Sequence, residues 1–357
     1  MAAGMDQFDY PLPAEAIAQE PAEPRESARL LVAGAGGEVT HRHVRDLPDL
    51  LHTGDVLVVN ETRVLPARLH LRKPTGGQVE VLLLEPLQTN GHSDAAGEAW
   101  SALVRPGKRV APGTRLLAGD TELIEVGERA DGGTRQVRLL AGLDALAPHA
   151  TVALPPYIHK PLSDPERYQT VYASRTGSVA APTAGLHLSH EVLDRCRRRG
   201  VEIHTVDLSV GLDTFRPITA DRPEDHVMHA ESYSVPASTM DACRRAKRVV
   251  AVGTTTVRAL EAAAASGELT GRTKLFIHGD YRFQAVDVLL TNFHVPRSSL
   301  LLLLAAFHGA GWRTLYELAL AHNYRFLSFG DAMLIPRAGT TTLPSSPSRG
   351  PHPRPAP

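Results

Sequence analysis

Hydrophobic and polar positions follow three different rhythms along this 357-residue chain. Residues 55–60, DVLVVN, form a compact β-branched run ending at polar residues, the pattern of a buried strand. From about 69 to 150 the texture shortens. QVEVLLLE, AWSALV, TELIEVGE and TRQVRLL alternate, separated by the turn chemistry of TGG, PGKRVAPGT and ADGG. Strands at this spacing with glycine-rich turns predict a small antiparallel barrel or sandwich. QTNGHSDAAGE reads as a mobile hairpin loop within it.

After residue 150 the rhythm becomes α/β. Ser189 is placed to cap a helix through HEVLDRCRRR, Gly200 closes it, and VEIHTVDL follows as a strand. Strand RVVAVG, helix TTVRALEAAAAS and Gly267 repeat that logic. KLFIHG and AVDVLLTNF read as further strands. Pro296 and Ser298 then open an apolar helix, and WRTLYELALAH forms another. The predicted fold class is α/β: a mixed-sheet α/β/α domain with an inserted small antiparallel β-barrel domain. Residues 1–68 and 151–336 make the discontinuous α/β domain and 69–150 the barrel. Residues 337–357, rich in Pro and Ser, read as a disordered tail.

Composition narrows the class. A formal charge of −1 gives no global field for nucleic acid, so a polyanion would need local basic patches. Such patches exist at Arg72-Lys73, at Arg105 with Lys108 and Arg109, at Arg195 with Arg197 to Arg199, and at Arg244-Arg245 with Lys247-Arg248. Two distant cysteines, Cys196 and Cys243, exclude a disulfide scaffold and a thiolate metal cluster. MAAGMDQFDYPLP lacks the layout of a secretory signal, and LLLLLAAF from Leu300 is too short to span a bilayer. The expected setting is cytoplasmic.

Candidate chemistry gathers at predicted strand ends. In VVAVGTTTVRALE a strand stops at Gly253 and a helix begins at Thr254 to Thr256. Free amides and hydroxyls there suit a carboxylate or phosphate, and Arg258 lies one turn on. A well-capped helix is the plain alternative. NETRVLPAR delivers Asn60, Glu61, Thr62 and Arg63 at a strand end, where open α/β sheets place ligands. LLTNFH does the same for Asn292 and His294, and FGDAMLI sets Asp331 just before a final strand. EDHVMHAE holds Asp225, His226, His229 and Glu231. Its H-x-x-H-x-E spacing does not match H-E-x-x-H, so a proton-transfer cluster is preferred to a metal site. SVAAPTAGLH carries almost nothing but small residues before His187, the composition of a loop that lets backbone approach a ligand.

Together these segments resemble the S-adenosylmethionine:tRNA ribosyltransferase-isomerase family. The matching pieces run collinearly from about 7 to 336: FDYPLPAEAIAQEP with RESARLLV; GDVLVVNETRVLPARL with TGGQVEVLLLE; LPPYIHKPLSDPERYQTVYA; GSVAAPTAGLH; GLDTFRPI; EDHVMHAE; VGTTTVRALE; VDVLLTNFHVPRSSLLLLLAAF; and YRFLSFGDAML. The resemblance implies an α/β catalytic domain carrying a barrel. It also implies transfer and isomerisation of the ribosyl part of S-adenosylmethionine onto 7-aminomethyl-7-deazaguanine at the wobble position. Epoxyqueuosine-tRNA, adenine and methionine would be the products. The expected partners are S-adenosylmethionine as co-substrate and the anticodon region of a tRNA carrying that base. No metal, separate cofactor or membrane is implied, and a monomer is expected.

On this reading Thr254, Thr255 and Arg258 form the anion site. His187, His229 or His294 transfers protons, with Asp225, Glu231 and Asp331 as orienting groups or alternative bases. Asn60, Thr62, Arg63, Ser178, Pro182, Thr183, Gly185, Arg216, Gly253 and Asn292 complete the expected substrate-binding set. The chain departs from the family pattern at Leu188, Ser209, Asp213 and Gly279-Asp280. Those departures keep alternatives open: a related enzyme using another acceptor, or a catalytically inactive nucleic-acid- or nucleotide-binding homologue. A metal hydrolase built on His226, His229 and Glu231 is the remaining option.

Overall fold

The structure is a computed structural model that describes residues 4–34, 36–87, 98–130, 133–211 and 217–339. The expected loop at 88–97, Asp213, Arg216 and the tail beyond 339 lie outside the described residues.

Strands β1 (Arg29–Ala33) and β2 (Val39–His43) form a hairpin, followed by the single helical turn α1 (Leu47–Leu50). Next come β3 (Asp55–Asn60) and the short β4 (Thr62–Val64). Six strands follow: β5 (Arg68–Arg72), β6 (Gln78–Pro86), β7 (Ala99–Arg105), β8 (Thr114–Ala118), β9 (Thr121–Arg129) and β10 (Arg135–Leu139). Their order, β5-β6-β7-β10-β9-β8, closes on itself because β8 pairs back to β5 at Arg72 and Leu117. All of these pairings are antiparallel. Alternate residues such as Leu69, Leu71, Val79, Val81, Ile124 and Val126 fill the barrel interior. After the turn α2 (Leu143–Leu146), β11 (Ala150–Thr151) pairs antiparallel with β5.

The rest of the chain rejoins the first part. β12 (Arg175–Ser178) pairs with β4. Then come α3 (His190–Arg198), β13 (Glu202–Leu208), β14 (Glu231–Ser234), α4 (Ala237–Arg245), β15 (Arg248–Val252) and α5 (Thr254–Ser266). β16 (Thr270–Thr273), β17 (Val288–Asn292), α6 (Ser299–His308), α7 (Trp312–Ala321) and β18 (Ala332–Pro336) complete it. One nine-stranded mixed sheet results, ordered β16-β14-β13-β3-β15-β17-β18-β1-β2. Its centre, β13-β3-β15-β17, is parallel.

The period of two puts one parity of β3 and β15 on each face. Val56, Val58, Val249 and Ala251 join a core with α4, α5, α6 and α7, whereas Leu57, Val59, Val250 and Val252 join one with α1 and α3. The α/β/α layering follows from that two-sided burial. Helix starts obey their caps: the hydroxyl of Ser189 accepts from the Val192 amide, and that of Ser298 from the Leu301 amide. One sequence expectation fails. KLFIHG is not a strand. The ladder ends at Thr273, and the backbone beyond it bonds to side chains: the Leu275 amide donates to the Thr273 hydroxyl, and the Leu275 carbonyl accepts from the Arg258 guanidinium. Among the described residues no helix is long and apolar enough to cross a membrane.

Candidate active site

The carboxyl ends of β3, β15 and β17 open on one side of the sheet, and a cleft lies there. Gly253, Thr254 and Thr255 come from the β15–α5 junction, and Asn292 and His294 from the end of β17. Ala181 to Ala184 come from the small-residue loop. Tyr157, Ser298 and Ser328 add hydroxyls, and Phe293 and Leu327 add apolar walls.

Gly253 makes the junction possible. Its φ of 88° and ψ of 152° lie where side-chain-bearing residues are strained, so the chain can turn sharply from β15 into α5. No side chain caps α5. The first amides of a helix have no intrahelical acceptor and concentrate positive potential, and this helix start lines the cleft. Beneath them Asn60 fixes the floor. Its carbonyl oxygen accepts from the amides of Thr62 and Leu208, and its amide donates to the Leu208 carbonyl and, at 3.4 Å, to the Thr255 hydroxyl.

Asn292 is the hub of the opposite wall. Its Nδ2 donates to His187 Nε2 at 2.9 Å and to the Leu327 carbonyl at 3.1 Å, and its Oδ1 accepts from the Thr183 hydroxyl at 3.1 Å. Because Nδ2 has acceptors on its side, the amide is held with Oδ1 toward Thr183 and the cleft. Leu327 reaches this contact with a φ of 68°, a left-handed conformation unusual for leucine. His187 therefore buttresses Asn292 and does not itself line the cleft. Burial pushes its pKa down to about 4, the nearby Asp331 charge opposing the shift only in part. His294 does line the cleft, its Nε2 paired with the Thr291 hydroxyl at 3.1 Å, and burial holds its pKa down at about 3. Both imidazoles are neutral near pH 7.

Several expected site residues take other places. Arg258 is buried, paired with Glu231 and with the Leu275 carbonyl, and does not line the cleft. Glu231 also accepts from the Gly211 amide, so this ion pair ties α5 to β14 and the loop after β13. Asp331 is buried but spent on scaffolding: it accepts from the amides of Arg29 and Arg325 and pairs with the Arg29 guanidinium, pinning β1. Arg63 pairs with Glu166 at the surface. The Ser178 hydroxyl donates to the Ala180 carbonyl and accepts from the Val210 amide, shaping the loop from behind. Thr62 is buried on β4. Asp225 and His229 are exposed, and among the described residues no three His, Cys, Asp or Glu side chains form a metal-holding group. His226 packs edge-on against Phe276 instead.

The small-residue loop divides its work. Pro182 and Thr183 face the cleft, but Gly185 does not: a Cβ there would stand 2.0 Å from the Tyr172 hydroxyl and 2.9 Å from Thr170 Cγ2. Tyr157 and Ser328, whose hydroxyls bond at 2.8 Å, were not among the expected site residues. They sit in loops with no periodicity to mark them. Their signal lay only in the LPPYI and FLSFGDAML segments on which the resemblance rests.

The fold and site define a barrel-bearing α/β protein with a neutral, hydroxyl-rich ligand cleft at its parallel strand ends. Residues 5–335 match the family described as queuosine biosynthesis protein, and the chain belongs to that family. A relative from Thermus thermophilus, named S-adenosylmethionine:tRNA ribosyltransferase-isomerase, is 50% identical and aligns over 93% of this chain and 99% of its own. Another of that name, from Symbiobacterium thermophilum, is 49% identical over the same shares. The crystal structure of S-adenosylmethionine tRNA ribosyltransferase from Thermotoga maritima is 36% identical. It superposes with a TM-score of 0.52 over 92% of this chain and 99% of that one.

Proposed function

We propose that this protein transfers and isomerises the ribosyl moiety of S-adenosylmethionine onto 7-aminomethyl-7-deazaguanine at the tRNA wobble position. The products are epoxyqueuosine-tRNA, adenine and methionine, and neither metal nor separate cofactor takes part. One observation carries the assignment of the cleft: the uncapped start of α5 opens into the same space as His294 and Asn292. A donor with a carboxylate at one end and a purine at the other needs such a polarised slot.

In this reading the methionine carboxylate rests on the α5 amides with the hydroxyls of Thr254 and Thr255. The sulfonium acidifies the neighbouring 5′ protons, and His294 is the group we assign to accept one. Burial keeps its imidazole neutral, and the acid it becomes gives the proton up readily. The Asn292 carbonyl oxygen and the Thr183 hydroxyl orient the nucleoside. The hydroxyls of Tyr157 and Ser328 supply donors at the side where the purine leaves. The enzyme acts as a cytoplasmic monomer on the anticodon region of its tRNA.

The test is adenine release from S-adenosylmethionine, measured with tRNA carrying the aminomethyl-deazaguanine base and with the same tRNA lacking it. Release only with the modified tRNA, unchanged by a chelator, is expected. Release without that base, or none with it, overturns the assignment.

A further inference from the structure

The sequence offers four basic clusters, and the structure separates them. On α3 and α4 most of the charges are answered, Arg198 and Arg245 excepted. Arg195 and Arg199 pair with Asp49, Arg197 with Asp194, and Arg244 with Asp241. The barrel flank is similar, for Arg115 and Arg138 share Glu122 and Glu125. One end of the barrel is different. The turn Gly107–Arg109 follows β7, and three further cations converge on it. Lys73 donates to the Arg109 carbonyl at 3.3 Å, and Arg129 to the Gly107 carbonyl at 3.2 Å. Arg135, almost fully buried, reaches Val110 at 2.6 Å, Gly107 at 3.4 Å and Gly127 at 2.7 Å, all through carbonyl oxygens.

Lys73, Lys108, Arg109, Arg129 and Arg135 thus share one turn, and among the described residues none of them pairs with a carboxylate. The Arg135 guanidinium is hydrogen-bonded by carbonyl oxygens alone, with the Glu128 charge near enough to favour its ionised form, and it props the backbone from which Lys108 and Arg109 project. In a chain of formal charge −1 this is a local excess of positive charge. Its partner must bring several anions at once with little demand on side-chain shape, which is the chemistry of a nucleic-acid backbone.

We propose that this end of the barrel is the docking surface for the phosphate backbone of the acceptor tRNA. Lys73, Lys108, Arg109 and Arg129 make the contacts, and Arg135 acts as the internal prop. The proposal rests on the tRNA reading given above and adds which surface holds the RNA.

The test compares wild type with the fourfold variant Lys73→Ala, Lys108→Ala, Arg109→Ala, Arg129→Ala. An Arg197→Ala, Arg244→Ala variant in the paired clusters serves as control. Binding of labelled substrate tRNA is titrated from 50 to 200 mM salt. Each phosphate contact contributes about one to the slope of log affinity against log salt. The fourfold variant should therefore lose about three to four from that slope and bind at least tenfold more weakly at 100 mM. Its KM for tRNA should rise in step, while its KM for S-adenosylmethionine and its melting temperature stay at wild-type values. The control should match wild type. Equal affinity and slope in wild type and the fourfold variant overturn the docking surface and leave the tRNA reading intact. Absence of tRNA binding by wild type overturns both.

Discussion

Acidification should weaken this fold through two particular side chains. His187 and His294 are both buried, and burial lowers their pKa values to about 4 and about 3. In the unfolded chain each titrates near 6.5. Between those limits the unfolded chain binds more protons, so the stabilisation is complete above about pH 6.5 and is lost as pH falls. From pH 7 to pH 5 the linkage relation gives about 2 kcal/mol per histidine. The loss is nearly the same for both because in this window the unfolded value governs. Together they should remove about 4 kcal/mol, a large part of a typical folding free energy. Carboxylates titrate too, so the decisive measurement is a difference. Urea unfolding of wild type and His187→Gln is followed from pH 7 to pH 5. The variant is less stable at pH 7, where it loses the contact to Asn292, but the gap should close by about 2 kcal/mol at pH 5. Two curves that stay parallel would show that His187 is not buried as a neutral imidazole, and the account of the Asn292 hub would fall with it.

Two further substitutions probe the supports of the cleft. Gly185→Ala places a methyl group against the Tyr172 hydroxyl and should cost about 1–3 kcal/mol. Tyr172→Phe in the same chain should recover part of that cost, and strict additivity in a double-mutant cycle would refute the contact. Glu231→Gln leaves the buried Arg258 cation uncompensated and should cost about 3 kcal/mol, with Arg258→Met alongside it restoring much of the loss. Thermal melts of the single and the double variant decide that prediction.

What the sequence revealed depended on how local the governing physics was. Asp55–Asn60, the caps at Ser189 and Ser298 and the terminators Gly200 and Gly267 were legible because each is set within a few residues. The barrel was legible as texture, since closure needs only alternation and turns. KLFIHG misled because the short apolar run Leu275 to Ile277 satisfies strand rules whether or not a neighbour is there to bond it. At the cleft, residue type was readable but employment was not. Arg258, Asp331 and His187 are the groups a chemist would choose, yet each is committed to a partner 27, 302 or 105 positions away. Only the fold reveals that those partners are adjacent. The hydroxyls of Tyr157 and Ser328, which do face the cleft, carry no local signature at all.

The pairing of β11 with β5 brings the two ends of the barrel segment together. Thr151 lies opposite Arg68, so the chain leaves the barrel beside the place where it came in. The strands flanking that excursion, β4 and β12, pair with each other, and the next large-sheet strands on either side, β3 and β13, are neighbours too. A graft joined through two adjacent threads can be lengthened, trimmed or traded without rethreading its host. The barrel can thus change in size or surface without moving the strand ends that bound the cleft.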